Sequence, residues 1–551
     1  MGTEVAPTDE GLNADPPVDP FEGFARHTAV MAVGTTLSRV TGMLRLTATV
    51  AALGFGAVSD TYAAANTTPN IVYELVLGGI LTSVFVPVFV RWSTTHGREE
   101  SWEVAQRMIT LALLVLSGIA LLAAVFAPAI MRLYLVASDA PNHASQVELG
   151  AFFLRWFMPQ IVFYGVGAVA IGVLQAGRRF AIVMFAPILN NLSVIATMLV
   201  FIGVRGDSPT SLTLGQRTLL AAGTTFGIVA MSLALWPSLR RMGFRLRLRL
   251  DWRHPAIAEL GRLAKWTGVY VAANQIAYLL VIVLSNRLGS GTYFAYTQAF
   301  VFFQLPHAIF AVSIFTALLP EMAERWTGER LDDVRTLWSR GMRTTLVVMV
   351  PAALGYVFLA GPIVRLFAQY GAGTRDGTDL MVRALTGFAV GLPFYSVFQL
   401  LTRTFYAMHD ARMPALVNVA AACVNALVNV ALTLGLGLGI GGLALGHAAS
   451  YAFGAVILGV ILRSRLNRID GRRIARTVGL LAPIGIACAA AALGASSLVR
   501  SALGVTTAPQ RLLQVLVAVV VGLLVFVVGA LMVRLEEADD LMRLIRRRLR
   551  R

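Results

Sequence analysis

Two arginines lie in a stretch that is otherwise apolar enough to cross a bilayer. Residues 36–53 read TLSRVTGMLRLTATVAAL, with Arg39 and Arg45 well inside the apolar run. An arginine at mid-membrane costs about 2.5–3.5 kcal/mol on insertion scales, so it normally faces a wet cavity or a partner. On a helix these two stand roughly 9 Å apart along the axis and roughly 120° apart around it. Gly42 between them permits bending, and the guanidinium arms are long enough for both to reach one multi-oxygen anion. Arginine suits phosphate because its planar fork makes bidentate, charge-assisted bonds. Snorkelling to the headgroups, or a purely structural pair, remains the competing role.

The next apolar run holds Asp60, then YAAANTTPNIVYELVLGGI over 62–80. Pro69 and the Gly78-Gly79 pair interrupt regular hydrogen bonding, as happens where backbone lines a cavity or bends. Asn70 and Glu74 share one i, i+4 face, so Glu74 could pair with an arginine of the first helix. The other reading is a kinked structural helix. Farther on, Asn418, Asn425 and Asn429 fall on one helical face, and Asn274 with Gln275 gives another helix polar atoms. Two roles fit these amides, holding a coupling cation or hydrogen-bonding between helices, the second being the commoner. Arg155, near a helix end, fits an interfacial snorkelling role. The pairs Asp332-Asp333 and Asp539-Asp540 sit among arginines, where solvated charge is the default. No nucleophile elbow, P-loop or zinc motif is present, so no enzyme and no metal site is expected.

These residues need a membrane scaffold. The chain has 551 residues, of which 57% are hydrophobic and only 14% charged. Soluble domains carry roughly a quarter charged residues. The expected class is an all-α integral membrane protein with about fourteen spanning helices. The net charge of +17 does not point to nucleic acid, because the basic residues sit in the gaps between apolar runs. Numbering those gaps from an inside start places 34 basic residues inside and nine outside. By the positive-inside rule both termini are then cytoplasmic. Cys423 and Cys488 both lie in apolar runs and imply no disulfide framework. Residues 1–26 are acidic and rich in Pro and Gly, and are expected to be a disordered cytoplasmic tail with no signal peptide.

A repeat runs through the chain. LQAGRRFAIVMFAPILNN (174–191) resembles LTRTFYAMHDARMPALVN (401–418), with Pro187 and Pro414 separated by 227 residues. TSVFVPVFVRW (82–92) likewise resembles TALLPEMAERW (316–326), with Pro87 and Pro320 separated by 233. The expected layout is two pseudo-symmetric six-helix lobes, 27–238 and 258–465, around a central cavity. A basic linker, 239–257, joins them. Two further helices follow in 466–534, then a basic tail, 535–551. Parallel repeats facing a cavity are a transporter arrangement.

Several of these segments together resemble the MurJ/MviN family, lipid II flippases of the multidrug/oligosaccharidyl-lipid/polysaccharide exporter superfamily. They are S-R-V-x-G-x-x-R (Ser38 to Arg45), G-F-G-A-x-x-D (Gly54 to Asp60), Pro69-Asn70, G-x-x-x-x-x-F-V-P (Gly79 to Pro87), Q-L-P…A-L-L-P (Gln304 to Pro320) and R-x-F-Y-A…D-x-x-x-P (Arg403 to Pro414). The resemblance implies alternating access that carries undecaprenyl-diphosphate-linked peptidoglycan precursor to the outer leaflet of a bacterial cytoplasmic membrane. It places Arg39 and Arg45 at the family's first-helix cavity arginines; with the polar residues read on the second helix, the expected substrate-binding set is Arg39, Arg45, Asp60, Asn70 and Glu74. It implies no cofactor, and lipid II, membrane lipids and cell-wall synthases as partners. It does not carry over whether sodium, at residues such as Asn274, Asn418, Asn425 and Asn429, or the membrane potential drives transport. The family often has further arginines where this chain has Tyr73 and Val301, and an acidic residue where it has Leu46. A flippase for another polyprenyl-linked polysaccharide or a cation-coupled drug antiporter would share the fold, the antiporter needing more membrane-embedded carboxylates.

Overall fold

A computed structural model describes residues 20–75, 95, 97–138, 143–177, 179–206, 212–251 and 254–533. Among these residues the regular secondary structure is entirely helical. With no water in a bilayer core, only internally hydrogen-bonded helices or closed barrels can satisfy the backbone. Among the described residues twelve helices are long and apolar enough to cross a membrane, against fourteen expected in the whole chain, and they match the third to fourteenth apolar runs. The first run is α1 (Pro20–Leu53) and the second begins as α2 (Ala57–Tyr73). Helix α1 starts inside the stretch expected to be an N-terminal tail, with Pro20 supplying a φ preset for a helix start. Helix α2 runs through Pro69 and widens into a π turn at Glu74. Gly78, Gly79 and Pro87 lie outside the described residues.

The third run forms α3 (Arg98–Val125) and the short α4 (Ala127–Tyr134). The fourth divides into α5 (His143–Phe157) and α6 (Gln160–Ala176), on either side of Pro159. Then come α7 (Phe180–Val204), α8 (Leu214–Leu233) and the short α9 (Trp236–Arg241). The second half is α10 (Pro255–Arg287), α11 (Thr292–Pro306), a π turn at His307–Ala311, α12 (Val312–Thr327), α13 (Leu331–Ala368), α14 (Arg375–Ala407), α15 (Arg412–Val430) and α16 (Gly439–Arg465). The final pair is α17 (Gly471–Leu503) and α18 (Ala508–Met532), which pack on each other and on α13.

Packing repeats between the halves. Helix α1 lies on α7 as α10 lies on α15; α2 lies on α5 as α11 lies on α14; α3 lies on α6 as α13 lies on α14; α7 lies on α8 as α15 lies on α16. One side-chain bond repeats as well. Asn191 Nδ2 donates to the Ser38 carbonyl at 3.1 Å, and Asn418 Nδ2 donates to the Tyr270 carbonyl at 3.3 Å. Both asparagines stand four residues after the paired prolines. The protein is therefore an all-helical multi-pass membrane protein whose described helices fall into two lobes of like packing followed by two C-terminal helices.

The lobes bond directly at one end of the bundle. The amide of Ala372 donates to the Ala51 carbonyl at 2.9 Å. Within the N-lobe, Arg205 Nη1 holds the end of α1 at this joint, donating to the carbonyls of Ala51 at 3.1 Å and Ala52 at 2.6 Å. Gly54 and Gly371 both have positive φ, and a Cβ on either would come within 2.5 Å of a backbone oxygen of the opposite lobe. Only glycine fits that approach.

Candidate functional site

Helix α1 presents Arg39 and Arg45 to a cavity of about 500 Å³ between the lobes. Its far wall is α11, through Thr297, Gln298 and Val301, and α2 closes one side with Asn66, Thr67 and Asn70. Arg39 is exposed and Arg45 half-buried, and neither is in an ion pair among the described residues. Arg45 Nη1 reaches Asn191 Oδ1 at 3.5 Å, and the Asn191 amide nitrogen also bonds the Thr41 hydroxyl at 3.0 Å. Asn191 thus ties the arginine-bearing segment of α1 to α7. Two guanidiniums with unspent donors, facing a polar cavity, can bind an anion with several oxygens.

Asn70 lines this cavity and also a second one of about 310 Å³. The second cavity holds Glu74, Asn274, Gln275, Asn418 and Asn425. Thr67 and Asn70 border both, so the two spaces adjoin across α2. Glu74 makes no ion pair with Arg39 or Arg45 among the described residues; it faces the amides of α10 and α15 instead.

Asp60 does not line either cavity. Its buried carboxylate accepts from the Gly291 amide at 2.5 Å and the Phe294 amide at 2.7 Å. Those are the N-cap and N3 amides of α11, so a carboxylate from one lobe caps a helix of the other. The structure thus places Asp60, expected in substrate binding, in a joint between the lobes.

The four asparagines form hydrogen bonds between and within helices. Asn274 and Asn418 both donate to the Tyr270 carbonyl, at 3.1 and 3.3 Å. Asn429, which lines neither cavity, donates to Asn425 Oδ1 at 3.0 Å. Asn425 Nδ2 in turn lies 3.3 Å from His447 Nδ1, which also meets the Tyr296 hydroxyl at 2.9 Å. An amide NH₂ can only donate, so in this assignment Nδ1 accepts and the ring proton sits on Nε2.

The departures are local. Val301 is on the cavity wall, so an aliphatic side chain occupies the place where a third guanidinium would face the first two. Tyr73 packs by Tyr164, ring centroids 5.7 Å apart. Leu46 is buried on the same wall as Arg45. Arg155 is exposed and reaches the Ala124 carbonyl at 3.4 Å. Sequence reasoning missed Asn191, Gln298 and His447. The first was on the page as the end of the repeated P-x-x-x-N segment, but a neutral amide in an apolar run reads as interhelical glue.

The chain is similar to the lipid II flippase MurJ of Burkholderia cenocepacia, 27% identical over 404 residues, covering 72% of this chain and 75% of that protein. It is 25% identical to a probable lipid II flippase MurJ of Thermotoga maritima, covering 80% and 86%. Among solved structures, an inward closed conformation of lipid II flippase MurJ matches with a TM-score of 0.72 at 18% identity, covering 92% of this chain and all of that one. An inward-facing multidrug resistance MATE family transporter of the MOP superfamily matches with a TM-score of 0.66 at 15% identity, covering 79% and 98%. At such identities these two structures speak to the fold. The sequence model described as lipid II flippase MurJ matches residues 49–514, which take in Asn70, Asn191 and most of both lobes and begin just beyond Arg45. With that span added to the twin-lobed fold and its arginine-lined cavity, the chain belongs to the lipid II flippase MurJ family.

Proposed function

We propose that this protein moves lipid II, an undecaprenyl-diphosphate-linked peptidoglycan precursor, from the inner to the outer leaflet of a bacterial cytoplasmic membrane. The observation that carries the reading is the placement of Arg39 and Arg45 on one wall of the inter-lobe cavity. Their guanidiniums hold the diphosphate, and Asn191 sets the position of Arg45. The amides beside Glu74 border the space left for the uncharged part of the cargo.

Alternating access follows from the joint at one end. The lobes meet there through the Asp60 cap on α11, the Phe55–Phe294 ring contact and close backbone approaches at Gly54 and Gly371, which separate as a unit when they rock. The arginine asymmetry of the loops supports cytoplasmic N- and C-termini, which puts this joint on the outer side. The delivered precursor would pass to cell-wall synthases. Either a sodium gradient or the membrane potential supplies the drive. Asn274, Asn418, Asn425 and Asn429 are the groups that would answer to sodium, and transport into vesicles with each gradient imposed separately distinguishes the two.

Depletion of the protein in its native host, with lipid II labelled topologically, tests the cargo. The expected result is precursor trapped on the inner side and released on re-expression. Normal labelling after depletion, in a host without a second flippase, would sink the reading.

A further inference from the structure

Between α9 and α10 the chain runs Phe244-Arg-Leu-Arg-Leu-Arg-Leu-Asp251 without forming a helix. Leucine and arginine alternate, and in a non-helical run successive side chains tend to opposite sides. The run is fixed in place at several points. Phe244 is buried and meets Trp102 and Trp236 edge-on, with centroids 6.3 and 6.4 Å away. Gln106 Nε2 donates to the Arg245 carbonyl at 2.7 Å, and the Arg249 amide donates to the Thr110 hydroxyl at 3.0 Å. Arg249 pairs with Glu103 at 2.7 Å, and Asp251 lies 3.7 Å from Arg107.

Held this way, the run exposes what a soluble loop would hide. Leu248 is 70% exposed and Leu250 57%, with Leu246 at 38%. Arg245 and Arg247 are exposed too, and no acidic side chain pairs with them among the described residues. The height of the run on α3 points to what covers it. Gln106 and Thr110 lie where the charged start of α3 (Arg98, Glu99, Glu100, Glu103, Arg107) gives way to its apolar span. That is headgroup level, where apolar side chains enter the acyl boundary while basic ones meet lipid phosphate.

We propose that residues 245–250 form an interfacial anchor for an anionic lipid surface. Leu246, Leu248 and Leu250 seat in the bilayer boundary, and Arg245 and Arg247 bind lipid phosphates. The anchor ties the segment between the lobes to the leaflet at the charged end of α3. It depends on the chain being a membrane protein and not on its cargo, so loss of the lipid II reading leaves it standing.

The test uses the full chain with Cys423→Ser and Cys488→Ser, carrying Leu248→Cys labelled with bimane. It is reconstituted into phosphatidylcholine vesicles with and without phosphatidylglycerol. The expected result is quenching by brominated lipid, stronger with phosphatidylglycerol present, and shielding from aqueous iodide. Arg245→Gln with Arg247→Gln should bring the quenching down to its level in phosphatidylcholine alone. Iodide quenching without brominated-lipid quenching, in both membranes, overturns the anchor and leaves a solvated loop. Equal brominated-lipid quenching in both membranes overturns the assignment of the arginines to anionic lipid. Leu250→Cys provides a second reporter should the first variant not fold.

Discussion

The two lobes use one scaffold contact for different ends. In each, an asparagine four residues after a proline bonds a carbonyl in the middle of the lobe's first helix. Setting Ser38 against Tyr270 by that contact puts Val271 at the place of Arg39 and Ala277 at the place of Arg45. The N-lobe asparagine therefore steadies a cationic wall, and the C-lobe asparagine an uncharged one rich in amides and aromatic rings. A helical repeat can keep its packing and lose or gain charge at single positions, because packing depends on shape along the contact and the cavity depends on a few outward side chains. The result is a cavity with both of its helix α1 guanidiniums on one side of the pseudo-symmetry.

The largest expected effect follows from that asymmetry. Removing both guanidiniums with Arg39→Ala and Arg45→Ala eliminates two charge-assisted contacts, each worth about 1.5–3 kcal/mol. Lipid II translocation in proteoliposomes should fall by about 100-fold or more. The C-lobe pair Val271→Ala and Ala277→Gly, at the equivalent places, should leave the rate within a small factor of wild type. Normal translocation by an inserted, folded arginine double variant would break the comparison outright.

Asp60 belongs to the joint and not to either wall. Asp60→Ala leaves the Gly291 and Phe294 amides of α11 without their acceptor. Buried donors stripped of a partner cost about 1–3 kcal/mol each. The expected readout is a lower unfolding temperature and faster thiol labelling of a cysteine placed at Ala372, with lipid II binding itself unchanged. Loss of binding with an intact joint would return Asp60 to the substrate site.

How far this was legible in the sequence varies by residue. Arg39 and Arg45 stand out because charge in an apolar run is costly and needs a reason. The lobes stand out because two proline-bearing segments recur at near-equal offsets. Asp60 misleads because a carboxylate near a helix end looks the same whether it faces a cavity or the amides of a helix more than 200 residues away. Glu74 was within reach of α1 by sequence, yet the face it shares with Asn70 turns partly to the other lobe, and no periodicity on one helix reveals that. Asn191 stayed hidden for the opposite reason: a neutral amide carries little cost and hence little signal.

Asn191 gives the next smaller effect. Asn191→Ala removes the 3.5 Å contact to Arg45 and the bonds to Ser38 and Thr41. At about 0.5–1.5 kcal/mol for the contact to the guanidinium, translocation should slow roughly 3- to 10-fold. Asn418→Ala should cost similar stability, through its bond to Tyr270, with less effect on binding of a diphosphate lipid. Equal losses of binding in both variants would show that the C-lobe wall also senses the diphosphate.

The smallest difference lies in the turns that precede α7 and α15. Both turns close with the same backbone bond, Arg179 amide to Leu174 carbonyl at 2.8 Å and Asp410 amide to Phe405 carbonyl at 2.9 Å. An arginine in one lobe thus stands where the other has an aspartate. Partial burial pushes the Asp410 carboxyl up, but the Met413 amide, Arg465 and the Arg412 amide together hold it below its ordinary value. A carboxyl depressed by folding adds stability above its unfolded pKa of about 3.9 and loses it as pH falls through the folded value. Asp410→Asn should therefore cost about 1 kcal/mol at neutral pH, as losses at a helix start do. Against wild type, the deficit in unfolding temperature should shrink as the pH is taken below the carboxylate range. The same treatment applied to Arg179→Gln should show no such convergence, since the N-lobe turn has no carboxylate at that place to protonate.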